Sequence, residues 1–251
     1  MKGETFLAAP LSDELDVFAL AHLKRGTLQE IGFHIVGLGG NRLAVDEPYI
    51  CRSCNDQLPR THYDRKPYDN KMAQLFWGLM PIERAAAWFY YAPNTNTSRI
   101  VRDLKYHDRP DIGISMGRAM AREYSASGFF DGIDLVIPVP LARERQRQRG
   151  YNQSAMIARG ISRVTGIPVE EQAVRRLHFS QSQTQLDRWQ RLQNVEQQFS
   201  SSHPATWAGR HILLVDDVTT TGATLIACAT ALKPKENNIR FSVLTLGFTQ
   251  S

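Results

Sequence analysis

The segment Ile212–Thr224, with the sequence ILLVDDVTTTGAT, constrains the fold and chemistry of this chain more than any other segment. Its four leading apolar residues predict a buried parallel strand, which puts Asp216 and Asp217 at the exit of that strand. The turn that follows leads into a helix, where threonine hydroxyls and free backbone N–H groups make a cradle for a phosphate. Gly222 lets the backbone come close to the anion, where a Cβ would obstruct it. The hydroxyls of the cradle belong to Thr220, Thr221 and Thr224.

The two carboxylates in this segment need a partner other than phosphate, because like charges repel. They suit the vicinal hydroxyls of a ribose, which donate to carboxylate oxygens. A Walker B strand also ends in acids, but the chain contains no Gly-x-x-x-x-Gly-Lys-Ser/Thr loop to accompany one. The acids of a receiver domain lie on an N-terminal strand, without a hydroxyl-rich loop after them. A helix-capping role for one aspartate stays open. The segment otherwise predicts a ligand with a ribose and a phosphate.

Strand and helix patterns alternate along the chain after residue 84, and this alternation predicts an α/β fold with a parallel sheet. The first 35 residues read as helix and are followed by a glycine-rich, irregular stretch. Apolar runs predict strands at Ala86–Tyr90, Asp134–Val139, Ile212–Val215 and Phe241–Leu246. Helical spacing predicts helices at Ser98–Tyr106, Ile112–Ala121, Asn152–Val164 and from the threonine loop through Leu232.

Composition excludes several classes of protein. No run of about 18 apolar residues occurs, so we expect no membrane insertion. The N-terminal residues lack the apolar core of a signal peptide, and three cysteines, Cys51, Cys54 and Cys228, cannot form an even disulfide framework. We therefore expect a cytoplasmic location. The net charge of +5 fits either a nucleic acid or an anionic substrate and decides neither.

Four segments together carry a resemblance to a known family. Ile212–Thr224 resembles the signature that binds 5-phosphoribosyl-1-pyrophosphate (PRPP) in type I phosphoribosyltransferases. The other segments are Leu104–His107, Ile137–Leu141 leading to Arg149–Gln153, and Ser182–Leu186 with Arg191 and Asn194. With them the chain, over about residues 84–248, is similar to the competence protein F (ComF) family. The resemblance implies a type I phosphoribosyltransferase fold, with a central parallel sheet flanked by helices and a mobile hood.

The resemblance also implies roles for individual residues. The turn after an early strand would bind pyrophosphate, and here that turn is Val139, Pro140 and Leu141. Lys105 would add positive charge near the pyrophosphate, and Arg191 and Asn194 would reach the ligand from a hood over residues 179–199. Mg²⁺ would accompany PRPP. The remaining PRPP-binding residues would be Asp216, Asp217, Thr219, Thr220, Thr221, Gly222, Ala223 and Thr224.

Arginines occupy every second position from Arg143 to Arg149, directly after the expected pyrophosphate turn. Such a run is usually a solvated basic stretch, yet arginine also binds phosphate oxygens through two hydrogen bonds at once. We expect Arg143 and Arg149 to touch the ligand and, with Asp216 and Asp217, to be the catalytic residues. Arg145 and Arg147 are then either exposed or in contact with a nucleic acid backbone.

The N-terminal part departs from the family pattern. ComF-like proteins usually begin with two Cys-x-x-Cys pairs that bind zinc, whereas this chain has only Cys51 and Cys54, with Val36 and Gly39 where the first pair is expected. Structural zinc needs four ligands and two thiolates fall short, so His34 or His62 would have to help complete a zinc site. We therefore expect a degenerate zinc-ribbon-like appendage over residues 1–75 and a phosphoribosyltransferase-like domain over residues 76–251, and zinc binding stays open.

Two functions from different classes follow. One is a phosphoribosyltransferase that uses PRPP and Mg²⁺ with an unidentified acceptor. The other, implied by the family, is a non-catalytic accessory of natural competence that binds single-stranded DNA or a partner such as a helicase or recombination mediator, and keeps a nucleotide pocket. A regulator that binds PRPP without chemistry is a third reading.

Overall fold

The computed structural model of the protein describes residues 49–50, 52–106, 109–177, 198–201, 203–232 and 234–250. Its strands are β1 (Ile82–Tyr90), β2 (Leu135–Pro138), β3 (Arg175–Arg176), β4 (Phe199–Ser200), β5 (His211–Thr219) and β6 (Arg240–Phe248). Its α-helices are α1 (Arg52–Asp56), α2 (Lys71–Gln74), α3 (Asn96–Tyr106), α4 (Pro110–Ser125), α5 (Arg143–Arg149), α6 (Gln153–Thr165), α7 (Ala223–Thr230) and α8 (Pro234–Asn237). Short 3₁₀ turns cover Tyr63–Arg65 and Pro204–Trp207.

The central sheet has four strands in the order β1-β6-β5-β2, and all its pairings are parallel. The four strands predicted from apolar runs are confirmed. Ile212, Leu213, Leu214 and Val215 are all 0% exposed, because helices cover both faces of a parallel sheet. The strand β5 runs to Thr219, so it is longer than the predicted Ile212–Val215, and Asp216 and Asp217 lie among its last four residues, at the exit of the strand as expected.

The helices α4 and α6 pack closely against each other through glycines. A Cβ on Gly117 would lie 2.2 Å from the Ile157 carbonyl oxygen, and one on Gly160 would lie 2.3 Å from the Ile114 carbonyl oxygen. No larger residue fits at either position. The helix α6 also packs on β2 and β5, so its first residues lie beside the acid pair of β5.

The chain divides into two units, of which the larger, Ser53–Ser251, contains nearly all of the described residues. Residues 53–75, which we assigned above to the appendage, belong to the larger unit. Asn70 is one reason, since its side chain caps α2 and its amide donates to the Ala85 carbonyl in β1 at 2.8 Å. Phe76 is fully buried in the core beside the sheet. The helix expected in the first 35 residues, and the zinc-ribbon-like part before residue 49, lie outside the described residues.

Within the described ranges, no helix combines the length and the apolarity that crossing a bilayer requires.

Candidate functional site

The acid pair lies in the second half of β5, where the neighbouring residues hold each carboxylate in a different way. Asp217 is 5% exposed, and its Oδ2 accepts hydrogen bonds from Lys105 Nζ at 2.7 Å and Gln153 Nε2 at 3.3 Å. The Oδ1 of Asp216 accepts from Ser154 Oγ and from the Asp217 backbone N–H, both at 2.9 Å. The described residues donate nothing to the Asp216 Oδ2. One carboxylate is therefore paired with a lysine, and the other keeps an oxygen for a ligand.

The environment of Asp216 favours its protonated form. Burial raises the pKa of Asp216 to about 7, with a further upward contribution from the charge of Asp217 and smaller opposing ones from the hydrogen bonds and Lys105. A cation at the free Oδ2 would stabilise the ionised form of Asp216 and so lower its pKa again. Mg²⁺ binds carboxylate oxygens and keeps several of its waters, so the pair fits Mg²⁺.

The threonine loop leaves β5 beside the acid pair. Thr220 and Thr221 are exposed, Thr224 lies partly exposed in the first turn of α7, and Thr219 is buried in β5. The hydroxyls expected to cradle a phosphate are therefore accessible at a helix N-terminus.

Gly222 is needed for a reason that the sequence did not reveal. Its φ is +75°, and a Cβ there would lie 2.8 Å from Cε1 of Phe76. A Cβ at Gly222 would therefore meet the buried ring of Phe76, and the expectation that its absence lets the backbone approach an anion stays a prediction. The glycine sets the bend of the loop against the core.

The turn Val139–Leu141 follows β2 and is fixed to both neighbouring elements. The Val139 N–H donates to the Val215 carbonyl at 2.9 Å, and the Val139 carbonyl accepts from Asn152 Nδ2 at 3.0 Å. The Oδ1 of Asn152 in turn caps α6 by accepting from the Ser154 N–H. This one side chain ties the turn to the helix that carries Gln153 and Ser154. Pro140 and Leu141 stay partly exposed.

The arginine run forms the helix α5, so its alternation in sequence does not put the side chains on one face. Residues four apart share a helix face, which pairs Arg143 with Arg147 and Arg145 with Arg149. Arg149 lies over the Tyr106 ring at 5.4 Å and donates to Gln153 Oε1 at 3.0 Å. The face with Arg145 and Arg149 is thus directed toward the residues that hold Asp217.

Relatives of the chain identify its family. No protein-family profile matches it. The chain is 31% identical to the DNA utilization protein YhgH of Shigella flexneri over 195 residues, which cover 76% of this chain and 81% of that protein. It is 39% identical to the competence protein F of Haemophilus influenzae over 93 residues (37% of this chain, 41% of that protein), and 32% identical to the competence protein ComFC of Bacillus subtilis over 112 residues (45% and 43%). The chain belongs to the ComF family.

Sequence reasoning missed two residues that hold the acid pair, Gln153 and Ser154. They lie in or just after Arg149–Gln153, which the sequence identified only as a family marker. The expected hood over residues 179–199 lies mostly outside the described residues, with Arg191 and Asn194, so their roles stay predictions.

The zinc question also stays open. Cys54 is buried in α1, and Cys51 lies outside the described residues. Over the part of the chain that the structure describes, no three His, Cys, Asp or Glu residues come close enough to hold a metal ion.

Proposed function

We propose that this ComF-family protein binds PRPP with Mg²⁺ in a type I phosphoribosyltransferase fold and transfers its phosphoribosyl group to a nitrogen acceptor, a base or an amine. The names of its relatives support a role in competence or DNA use. One observation carries the proposal. A carboxylate with an oxygen free of hydrogen bonds from the described residues lies on the strand that continues into a hydroxyl-rich helix N-terminus.

The two halves of this observation match the two ends of a phosphorylated ribose. The carboxylates of Asp216 and Asp217 accept hydrogen bonds from the ribose hydroxyls, and the loop N–H groups and the Thr221 and Thr224 hydroxyls bind the 5-phosphate. Lys105 prevents Asp217 from repelling the incoming anion, since its ammonium lies 2.7 Å from that carboxylate. The positive charge of Lys105 therefore largely offsets the negative charge of Asp217 where the strongly anionic ligand would bind.

The reaction would need positioning more than acid–base chemistry. The acceptor nitrogen forms a bond to ribose C1 as the bond from C1 to the pyrophosphate oxygen breaks, and pyrophosphate leaves with the electron pair. When bound at the acid pair, Mg²⁺ would neutralise charge on the leaving group. The turn Val139–Leu141 provides a rigid backbone at the pyrophosphate end, because Asn152 and β5 hold it in place.

Calorimetric titration with PRPP tests the proposal. We expect binding with Mg²⁺ present and weak binding or none without it. Thr224→Val should weaken this binding about tenfold, because it removes a hydroxyl next to the 5-phosphate. Thr230→Val is the matched control. Thr230 lies on the same helix, and its hydroxyl donates only to the Ile226 carbonyl. The Thr230→Val variant should therefore bind PRPP with the wild-type affinity. No PRPP binding by the wild-type protein with Mg²⁺ would refute the proposal.

A second function, binding of single-stranded DNA, is favoured by the surface of residues 62–79. Arg65, Lys66 and Lys71 are exposed there and form no ion pair with another described residue. Tyr68 is 60% exposed and Trp77 is 51% exposed in the same segment. Cationic side chains with accessible aromatic rings are what single-stranded nucleic acids bind, through phosphates and base stacking. A cavity of about 530 Å³ opens among these basic residues.

Fluorescence anisotropy with a labelled oligothymidylate tests this second function. Trp77→Leu should weaken binding about tenfold, because it removes a stacking surface and keeps an apolar side chain. Lys71→Gln should lower the salt dependence of affinity by about one unit of slope, whereas Lys235→Gln, an exposed lysine on α8, should leave it unchanged. An affinity that does not change with salt would contradict a DNA surface here.

A further inference from the structure

The cavity of about 530 Å³ among the basic residues of the segment 62–79 lies at the carboxyl ends of two strands. Tyr90 is the last residue of β1, Gln250 follows β6, and both line this cavity together with the 3₁₀ turn Tyr63–Arg65 and with α2. A volume in this range holds one small organic ligand. The proposed binding of PRPP does not use this cavity.

The order of strands in the sheet separates this cavity from the expected PRPP site. The ends of β1 and β6 border the cavity, the threonine loop follows β5, and the turn Val139–Leu141 follows β2. Because the order is β1-β6-β5-β2, the loop comes between the cavity and that turn along the carboxyl edge. In the proposed function, pyrophosphate and the acceptor at ribose C1 belong on the β2 side of the loop. A ligand in the cavity would therefore be a second ligand, distinct from the acceptor.

Hydrogen bonds to β1 hold the backbone around the cavity in place before any ligand binds. The Thr61 hydroxyl donates to the Ala87 carbonyl of that strand. Asn70 Nδ2 donates to the Ala85 carbonyl at 2.8 Å and also to the Lys66 carbonyl at 2.9 Å. The chain on both sides of the basic residues is thus tied to the sheet, so a ligand would not have to order it.

The side chains around the cavity carry positive charge that no described residue neutralises. Arg65, Lys66 and Lys71 line the cavity, and no described carboxylate lies within ion-pair distance of any of them. Asp69 is the one carboxylate among the described residues that line it, so positive charge is in excess there. A concave site with such an excess attracts an anion, and phosphate oxygens accept hydrogen bonds from several cationic groups at once.

Two tyrosine rings line the same cavity and fix each other's orientation. The rings of Tyr63 and Tyr90 are 6.0 Å apart with an interplanar angle of 87°, and the Tyr90 hydroxyl donates to the Tyr63 hydroxyl at 3.3 Å. The Tyr63 ring also packs against Phe248 at 6.0 Å. Both tyrosines stay partly exposed, so they keep surface for a ligand. Oriented aromatic rings beside cationic side chains suit a planar base that is attached to a phosphate.

We propose that this cavity binds a nucleoside phosphate, with the phosphate on Arg65, Lys66 and Lys71 and the base against Tyr63 and Tyr90. The cavity is a second site, occupied together with the PRPP site, so this inference goes beyond the proposed function and does not depend on it. A free nucleotide and one unit of a single strand offer the same chemistry, and the experiment separates these two sources.

Calorimetric titration with thymidine 5′-monophosphate tests the site, without PRPP and again with saturating PRPP and Mg²⁺. We expect the wild type to bind the nucleotide in both cases. Arg65→Gln and Lys71→Gln should each weaken this binding at least about tenfold, because each removes a charged hydrogen bond to the phosphate. Lys235→Gln is the matched control and should bind as the wild type does, since that exposed lysine lies on α8, which precedes β6 at the amino end of the sheet. Thymidine and inorganic phosphate should each bind at least about tenfold more weakly than the nucleotide, because each offers only one part of the ligand.

Several results would overturn the inference. It is wrong if the wild type does not bind the nucleotide, if PRPP displaces the nucleotide, or if Arg65→Gln and Lys71→Gln bind it as tightly as the wild type. Thymidine that binds as tightly as its 5′-monophosphate would also refute a phosphate site. If the wild type binds the nucleotide through these two side chains but does not bind PRPP, the cavity site stands and the proposed function fails.

Fluorescence anisotropy with a labelled oligothymidylate then identifies the source of the nucleotide. If Arg65→Gln weakens binding of the oligonucleotide as much as binding of the mononucleotide, the cavity holds one unit of a strand. If Arg65→Gln weakens only the mononucleotide, the cavity holds a free nucleotide. Either result supports the site in the cavity.

Discussion

Replacing Asp216 with asparagine is expected to raise the melting temperature of the ligand-free protein at about pH 8 while it abolishes Mg²⁺-dependent PRPP binding. Both effects have one cause. Burial and the charge of Asp217 raise the pKa of Asp216 to about 7 in the folded protein, whereas an unfolded aspartate titrates near about 3.9. The folded state therefore holds its proton more tightly than the unfolded state does.

The direction of the pH dependence follows from that difference. The raised pKa of Asp216 stabilises the fold fully below about pH 4, and this contribution is lost as the pH rises through about 7. Above that pH the folded protein holds an ionised, partly buried carboxylate next to a second one. Asparagine removes the charge and keeps the Oδ1 acceptor for both of its donors, Ser154 and the Asp217 N–H. We expect a gain on the order of 2 kcal/mol at about pH 8, or roughly 4–8 °C.

Differential scanning calorimetry at about pH 8 and about pH 5 checks this expectation. The difference between variant and wild type should be large at the higher pH and small at the lower one. Asp131→Asn is the control, because that carboxylate is exposed and its neutralisation should leave the pH dependence unchanged. If the variant melts at or below the wild-type temperature at about pH 8, ionised Asp216 does not destabilise the folded protein, and the prediction is wrong. A variant that is more stable but no longer binds PRPP would show that Asp216 contributes to binding at the expense of stability.

The sequence predicted the parts of this fold that depend on local patterns. Apolar runs identified the buried parallel strands, and the run ILLV followed by two acids located Asp216 and Asp217 within two residues of their place in β5. The family resemblance identified Lys105 as a site residue, and its ammonium pairs with Asp217, whereas its role near pyrophosphate stays a prediction. Such a motif can be predicted from the sequence because its residues are neighbours along the chain and stay neighbours in the fold.

Contacts made across the fold could not be predicted in the same way. Ser154 reaches Asp216 across 62 residues of sequence, and that contact depends on how closely α6 packs on α4 and β5. Glycines at 117 and 160 permit that packing, yet isolated glycines in a sequence do not indicate which helices meet. The arginine run forms the helix α5, in which Arg145 shares a face with Arg149 and Arg143 does not, and the ligand contacts expected of Arg143 and Arg149 stay predictions.

Gly222→Ala is the second change with a large expected effect, and it distinguishes two explanations for this glycine. An alanine at a φ of +75° costs about 1–2 kcal/mol in backbone strain. Its Cβ would also lie 2.8 Å from Cε1 of Phe76, a ring that is 0% exposed and has no free space into which to turn. We expect a total loss of about 2–4 kcal/mol, seen as a decrease in melting temperature of roughly 4–16 °C.

Gly209→Ala provides the matched control, because Gly209 has a φ of +72° and a Cβ added there would meet no atom within 4 Å. It should lose only the backbone contribution of about 1–2 kcal/mol. The excess loss at Gly222 then measures the contact with Phe76. Adding Phe76→Leu to Gly222→Ala should recover part of that excess, in a double-mutant cycle with a coupling of about 1 kcal/mol. If instead the two alanine variants melt alike and only Gly222→Ala weakens PRPP binding, the glycine makes room for the anion, and the sequence-based explanation is right after all.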